Sequence, residues 1–386
     1  MNSAVVVGSP NRRRLVSAGS RIIEPPDAYR DFMPLKWRDR APAIRKVDSV
    51  GDVFVIDGLK QGMPLGRLKP RVLQHRGGDD GTLRFRHCDA ASWDGDERVR
   101  SQNEAGMAAE VIYPSLTLVL ARHPDLDYRR ACLESYNRWL AVFCSSSPTR
   151  LLGLALVDPV TPAAGIRDLV RMSDLGYRGV LLPERPGSDH GYEHGDWEAF
   201  FAAAASLAIP VSFHIGADSI IRSKPGSTRD ELNTFVEMIA CRGDVLSRLV
   251  FSGVFERHPT LKVVCAGATA AAVGRHGARM DRANRRYPAA ARHAAELPCP
   301  PSVYLARHLH VPDPLLHTVQ PDPTIGAEHW MWASSEAASP RSDSIDRVLG
   351  NRWDGQPLAD RAAVLSENVC QLYDLELAEP LDPELL

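Results

Sequence analysis

Along the chain, short runs of Val, Ile and Leu recur, each followed by a longer segment whose apolar positions return every three or four residues. The first pattern suits strands buried on both faces, the second suits amphipathic helices, and their alternation predicts parallel strands joined by helical crossovers. Core strands are predicted over residues 15–20, 111–114, 151–157, 179–183, 210–216, 262–267, 309–312 and 330–335. Helices are predicted over 128–143, 162–175 and 197–207; the second opens with Pro162 in its first turn and is followed by Gly176, although a Ser, Thr or Asp cap is not evident before every stretch. Eight strand-then-helix units predict a closed α/β barrel, a distorted (β/α)8 TIM barrel, rather than an open sheet.

The interruptions of this pattern set the organisation. Residues 1–14 read as a disordered leader and 15–386 as a single barrel domain. Residues 36–100, with "VFVIDG", "GRLKPRV" and Gly/Asp punctuation, read as an insertion of short strands and loops after the first strand. A second polar stretch, "ADSIIRSKPGSTRDE", follows the fifth strand as a long loop that would overhang the C-terminal mouth, where barrel active sites lie.

Charge and cysteine usage narrow the partners. The 386 residues carry a net charge of −2, which gives no field for nucleic acid or an anionic membrane surface and leaves a small molecule or a protein as the expected partner. No apolar run reaches the ~18 residues of a membrane span, and the basic residues near the N-terminus follow a short apolar stretch, the wrong order for a secretory signal. Seven cysteines without a CxxC pair argue against a zinc ribbon or disulfide framework and for a cytoplasmic protein with reduced thiols.

Several phrases, "IIEPPDAYRDFMPLKWRDRAP", "AAEVIYPSL", "SYNRWLAVFC", "RLLGLALVDP", "LGYRGVLLP", "PVSFHIG", "SGVFERHPTLKVV" and "SENVCQLYDLE", agree in order and spacing with a known family. Over most of residues 15–377 the chain resembles the amidohydrolase-related proteins that include aminocarboxymuconate-semialdehyde decarboxylase. The resemblance implies a distorted barrel with a divalent metal, often zinc, at the C-terminal ends of its strands, supporting hydrolysis or non-oxidative decarboxylation; it also implies a homodimer. The family's ligands are an acid or His and a His two apart on the first strand, a His on the fifth and an Asp on the eighth. Carried onto this sequence, the first pair falls on Gly19 and Arg21, the fifth-strand His is His214, and the eighth-strand Asp position is Ser335 with a later His position at Ala338. The acidic position on the sixth strand becomes Gly267 and a later aromatic one Ala272.

One imidazole does not hold zinc where three or four protein ligands are usual, and the permanent charge of Arg21 repels a cation. No metal cofactor is therefore expected at that position. Arg21 replaces one cation by another: its fork suits a substrate carboxylate or a developing oxyanion, with His214 as general acid or base and Glu24, Ser335 and Glu336 as polar neighbours. The bland alternative is that Arg21 fills an abandoned site by pairing with Glu24 or Glu336. His310, His190 and His194 are further candidates for contact with an anionic substrate. "HLH", His308 and His310, would present two imidazoles on one face of the seventh strand, without an evident acidic ligand. "HGYEH" matches an inverted zinc-protease motif, but Pro186, Gly187, Gly191 and Gly195 signal a loop where that motif needs a helix. Three functions stay open: a metal-independent lyase, cyclase or hydrolase acting on a small anion, a non-catalytic pseudoenzyme that supports a partner, and a metal-dependent decarboxylase or hydrolase with unusual ligands.

Overall fold

The computed structural model describes residues 15–377, apart from 49, 61, 69–82, 158–159, 187–189, 216–235, 237–239, 241–243, 289–295, 314–324 and 336–357. The expected leader, the loop after the fifth strand, Glu336 and Ala338 lie outside the described residues.

All eight predicted core strands have counterparts. In barrel order they are β1 (Leu15–Arg21), β5 (Met107–Tyr113), β6 (Leu151–Gly153) continued by β7 (Ala155–Leu156), β8 (Val180–Leu182), β9 (Val211–His214), β10 (Val263–Ala266), β11 (Leu309–Asp313) and β12 (Trp330–Trp332). The pairs β1–β5–β6 and β7–β8–β9–β10–β11–β12 are parallel throughout. The third barrel strand is divided at Leu154, whose N–H donates to Ile112 O at 3.1 Å while Ala155 N–H donates to Gly179 O at 3.2 Å, so the backbone passes from one neighbour to the next. The seam between β12 and β1 is closed by Ser335 N–H on Gly19 O, at 2.8 Å.

Side chains alternate as parallel strands buried on both faces require. Val16, Ala18, Val111, Tyr113, Leu152, Leu181, Val264, Ala266 and Met331 fill the interior, together with Leu372 and Tyr373 of the last helix. Their neighbours Leu15, Val180, Val211, Phe213, Val263, Cys265, Leu309, Val311, Trp330 and Trp332 face outward into the layer beneath the helices. Cys265 is thus a buried thiol of the outer core rather than an interior one.

Several helices begin where the sequence offers caps. In α2 (Leu126–Ser145), Asp125 accepts from Tyr128 N–H at 3.0 Å; in α3 (Pro162–Asp174), Thr161 accepts from Ala164 N–H at 3.2 Å and Gly176 at φ 82° follows the end. Each cap contributes roughly 1 kcal/mol. Residues between β1 and β5 form an antiparallel sheet of β2 (Ala43–Val47), β3 (Gly51–Val55) and β4 (Met63–Pro64), then α1 (Gly95–Ala105). This unit shares a core with α2 through Tyr29, Phe54, Tyr128 and Tyr136.

Beyond β8 follow α4 (Glu198–Ser206), α5 (Asp244–Phe251), α6 (Val254–Arg257), α7 (Ala270–Arg286), α8 (Pro301–His308), α9 (Leu358–Ala362) and α10 (Asn368–Tyr373). Asn368 Nδ2 donates to Ala327 O at 2.6 Å and Trp330 O at 2.7 Å, at the start of β12, so α10 closes the N-terminal end of the barrel. The opposite end, carrying the last residues of the strands, is left to the loops.

Candidate active site

The end of β1 is fixed from beneath. Glu110, inside apolar β5, and Arg98, on α1, are both completely buried, and Arg98 Nε donates to Glu110 Oε2 at 2.6 Å. The carboxylate also accepts from Gln102 Nε2 at 3.0 Å and Ser20 Oγ at 3.1 Å. Arg98 Nη1 donates to Ala91 O at 3.1 Å and to the Arg21 carbonyl at 3.3 Å, so this ion pair grips the backbone that carries Arg21. Ser20 Oγ lies 2.8 Å from Ser334 Oγ, which ties the same backbone across the seam.

Arg21 and His214 are the last residues of β1 and β9, at the C-terminal face. Burial pulls the Arg21 guanidinium below its ordinary pKa, and no carboxylate among the described residues offsets that; guanidinium nevertheless stays charged in proteins. Burial first, and the Arg21 charge second, pull His214 down to about 4, so the imidazole is neutral at pH 7. Its Nδ1 is buried without a hydrogen-bond partner. Tyr113 meets the ring edge-on, with centroids 6.5 Å apart.

Glycine makes room for this imidazole. At Gly267, φ is 78°, and a Cβ would stand 2.5 Å from Ile215 O and 3.0 Å from His214 Nδ1; a side chain there is strained and blocked at once. At Gly19 a Cβ would come within 3.3 Å of Ala333 Cβ. Ser335, also at the seam, takes a left-handed conformation with φ 55° and spends its N–H on Gly19 O.

Other expected site residues lie apart from this pair. Glu24, expected beside Arg21, is fully buried and committed to the loop after β5: Oε1 accepts from Ser115, Leu116 and Thr117 N–H at 3.2, 3.1 and 3.0 Å and from Thr117 Oγ1 at 2.6 Å. Burial raises its pKa while these hydrogen bonds oppose the rise. His308 is not on the seventh strand; it ends α8, stacks on Phe255 and bonds Leu261 O at 2.9 Å through Nδ1. His310 is on β11 but pairs with Val264, whereas His214 pairs with Ala266, which sets it roughly 7 Å nearer the N-terminal end. There it lies 4.8 Å from the His329 ring, and burial pulls it to about 3. His190 and His194 stand exposed in the segment after β8, against each other and Asp196.

The structure also adds residues that the sequence patterns left unnoticed. Tyr113, Ser212 and Tyr373 carry three buried hydroxyls close together inside the barrel. Asp313 ends β11, buried, and accepts from Ala270 N–H at 2.9 Å and Trp330 Nε1 at 3.3 Å, so it anchors α7 to the strand.

The sequence pattern of the amidohydrolase family matches residues 89–375. The chain belongs to the amidohydrolase family. No curated protein matches it significantly by sequence. Among solved structures, an amidohydrolase from Mycobacterium avium subsp. paratuberculosis K-10 is similar at a TM-score of 0.68 and 15% identity, covering 96% of this chain and 100% of that one. A 2,6-dihydroxybenzoate decarboxylase from Rhizobium is similar at 0.57 and 19%, covering 80% and 96%. A dihydroxybenzoic acid decarboxylase from Polaromonas sp. JS666, solved with manganese and 2-nitroresorcinol bound, is similar at 0.57 and 17%, covering 95% and 98%. At these identities the amidohydrolase barrel is what is shared; the chemistry of this member rests on its own residues.

Proposed function

We propose that this amidohydrolase is an enzyme that works without a divalent metal at the barrel mouth and takes a small anionic substrate between Arg21 and His214. The observation that carries the proposal is the charge of Arg21: a desolvated guanidinium, near enough to depress His214, with no carboxylate partner among the described residues. Arg21 is half-buried, the one residue of β1 that keeps some exposure; a charge partly withdrawn from water without a partner is costly, and an anionic ligand is what would offset it.

The residues do not suit a metal. Gly19 offers no donor and its Cβ position is crowded by Ala333. Arg21 cannot ligate and repels a cation. Ser335 has a neutral hydroxyl, and among the described residues at these positions His214 alone supplies an imidazole, fewer than the three protein ligands a catalytic zinc needs.

The chemistry that follows is electrostatic and acid–base. The Arg21 fork would hold the substrate carboxylate, or the oxyanion that develops from it, through charge-assisted hydrogen bonds. His214, neutral at pH 7, would accept a proton from the substrate and return it. Anion binding beside Arg21 cancels part of the field on His214, raising its pKa toward the range useful for general acid–base work. Since solved relatives include decarboxylases of dihydroxybenzoates, an aromatic carboxylate is the first substrate class to test.

Calorimetric titration of the full chain with 2,6-dihydroxybenzoate is the direct test. Binding is expected to weaken about 10- to 100-fold in Arg21→Met, the scale of a lost hydrogen bond to a charged group, and turnover should vanish in His214→Ala. Unchanged binding and turnover in both variants would overturn the proposal. Zinc or manganese held through His214, and lost on His214→Ala, would overturn its metal-independent part.

A further inference from the structure

We propose that His190, His194 and Asp196 form a surface site for a zinc-class divalent cation, apart from the barrel mouth and independent of the chemistry proposed there. Among the described residues they are the one group of three His, Cys, Asp or Glu side chains whose ligand atoms all converge, lying within 4.8 Å of one another.

The segment is held rigidly from within. Tyr192 and Trp197 are both buried, and the Tyr192 hydroxyl donates to Pro183 O, at the end of β8, at 3.0 Å. The Tyr192 ring packs edge-on against Trp197 at 5.1 Å and Phe213 at 5.4 Å. Backbone bonds from His194 N–H to Gly191 O and from Trp197 N–H to His194 O, both 3.0 Å, complete a tight frame. With the aromatic residues turned in, His190, His194 and Asp196 are turned out.

Two of their three spacings are those of ligands around one ion. Asp196 Oδ2 lies 3.5 Å from His190 Nδ1 and 3.1 Å from His194 Nδ1. Tetrahedral zinc with bonds of ~2.0–2.1 Å to nitrogen and oxygen has ligand-to-ligand edges of about 3.3 Å, and the two observed distances bracket that edge. The imidazole rings stack, with centroids 4.0 Å apart and planes 22° from parallel. The Asp196 N–H reaches His194 Nδ1 only at 3.4 Å, a long contact that little opposes coordination.

The neighbouring charges leave the site to Asp196. Glu193, the acid within "HGYEH", is paired with Arg248, which also binds Asp244 at 2.8 Å. Glu193 is therefore drawn away from the two histidines it separates, and the protease-like role of the motif loses its base. Two imidazoles and one carboxylate favour zinc, cobalt, nickel or copper over magnesium and calcium, which prefer oxygen donors. Three protein ligands leave the remaining coordination position to water.

The test uses tag-free full-length protein titrated with zinc, read by calorimetry and metal analysis. One zinc per chain is expected, raising the thermal midpoint by mass action. His194→Ala and Asp196→Ala should weaken binding by more than the ~10- to 100-fold seen when only an outer partner of a metal ligand is removed, and His214→Ala should leave it intact. The substituted side chains are exposed, so the metal-free variants should keep the parent's midpoint and circular dichroism. No stoichiometric zinc, or zinc that persists in the His190→Ala/His194→Ala double variant, would overturn the site. Zinc lost in His214→Ala but kept in the double variant would overturn both this site and the metal-independent mouth, whereas loss of carboxylate binding alone would leave the site standing.

Discussion

Two arginines meet at the end of β1 in opposite states. Arg98 is wholly buried and answered: Glu110 takes its Nε, and the carbonyls of Ala91 and Arg21 take Nη1. Arg21, whose own carbonyl Arg98 holds, carries a desolvated guanidinium that no described carboxylate answers. Taking a charge out of water costs several kcal/mol even after relaxation, and geometry and hydrogen bonds must repay it. The fold repays that cost at Arg98 with an acid from within an apolar strand. At Arg21 it supplies a rigid backbone and a neutral imidazole instead. Glu24, the acid nearest in sequence, is spent on backbone N–H groups of residues 115–117. The first arrangement builds structure, and the second is suited to a charge that arrives from outside.

Breaking the paired region should give the largest effect. Glu110→Ala strands Arg98 in the core and is expected to cost about 3–5 kcal/mol of folding stability, as removal of one partner of a buried pair does. Denaturant unfolding at neutral pH measures it. A loss below ~1 kcal/mol would put this pair in the class of surface salt bridges and erase the contrast with Arg21.

Much of this difference was hidden in the sequence, for physical reasons that differ by residue. The eight strands were legible because each is a short apolar run buried on both faces, a pattern that composition alone carries. The break at Leu154 was not, since 151–157 is apolar throughout and only the change of hydrogen-bond partner divides it. Two-residue spacing suggests one strand face for His308 and His310, but α8 runs directly into β11 at Leu309 without a Gly or Pro to mark the change from helix to strand. Glu24 is an acid three residues beyond Arg21 in sequence, while its partners lie more than ninety positions away. A usable signal did exist for Glu110: a charge at the centre of "AAEVIY" must be buried if the strand is, and a buried carboxylate implies a partner.

The open region should reveal itself next through pH. His214 is held at about 4 against an ordinary value near 6.5. Its folded pKa is depressed, so the unfolded chain takes up the proton first as pH falls. The stability associated with neutral His214 is complete above pH ~6.5 and is lost progressively down to about pH 4, by about 3 kcal/mol at most. His310, pulled to about 3, acts in the same direction. Substitution His214→Gln isolates the first contribution: the unfolding free energy of the variant should fall less steeply than the parent's between pH 6.5 and 4. Equal slopes would mean that neither burial nor the Arg21 charge bears on this imidazole as described.

Arg21→Met should change stability least and says most about the comparison. If Arg21 held the mouth together as Arg98 holds the strand beneath it, its removal would cost several kcal/mol, like any broken buried pair. With no acid to strand among the described residues, the substitution instead removes a desolvation penalty and keeps most of the apolar stem volume. Stability at neutral pH should therefore be unchanged within ~1 kcal/mol or slightly higher. The His214 titration should also move upward, because the second cause of its depression has gone. An NMR titration of the imidazole in the variant measures that shift directly, and it separates the two roles of the arginine. A methionine that leaves stability intact and frees His214 marks a charge kept for a ligand, while a methionine that unfolds the mouth marks a structural plug.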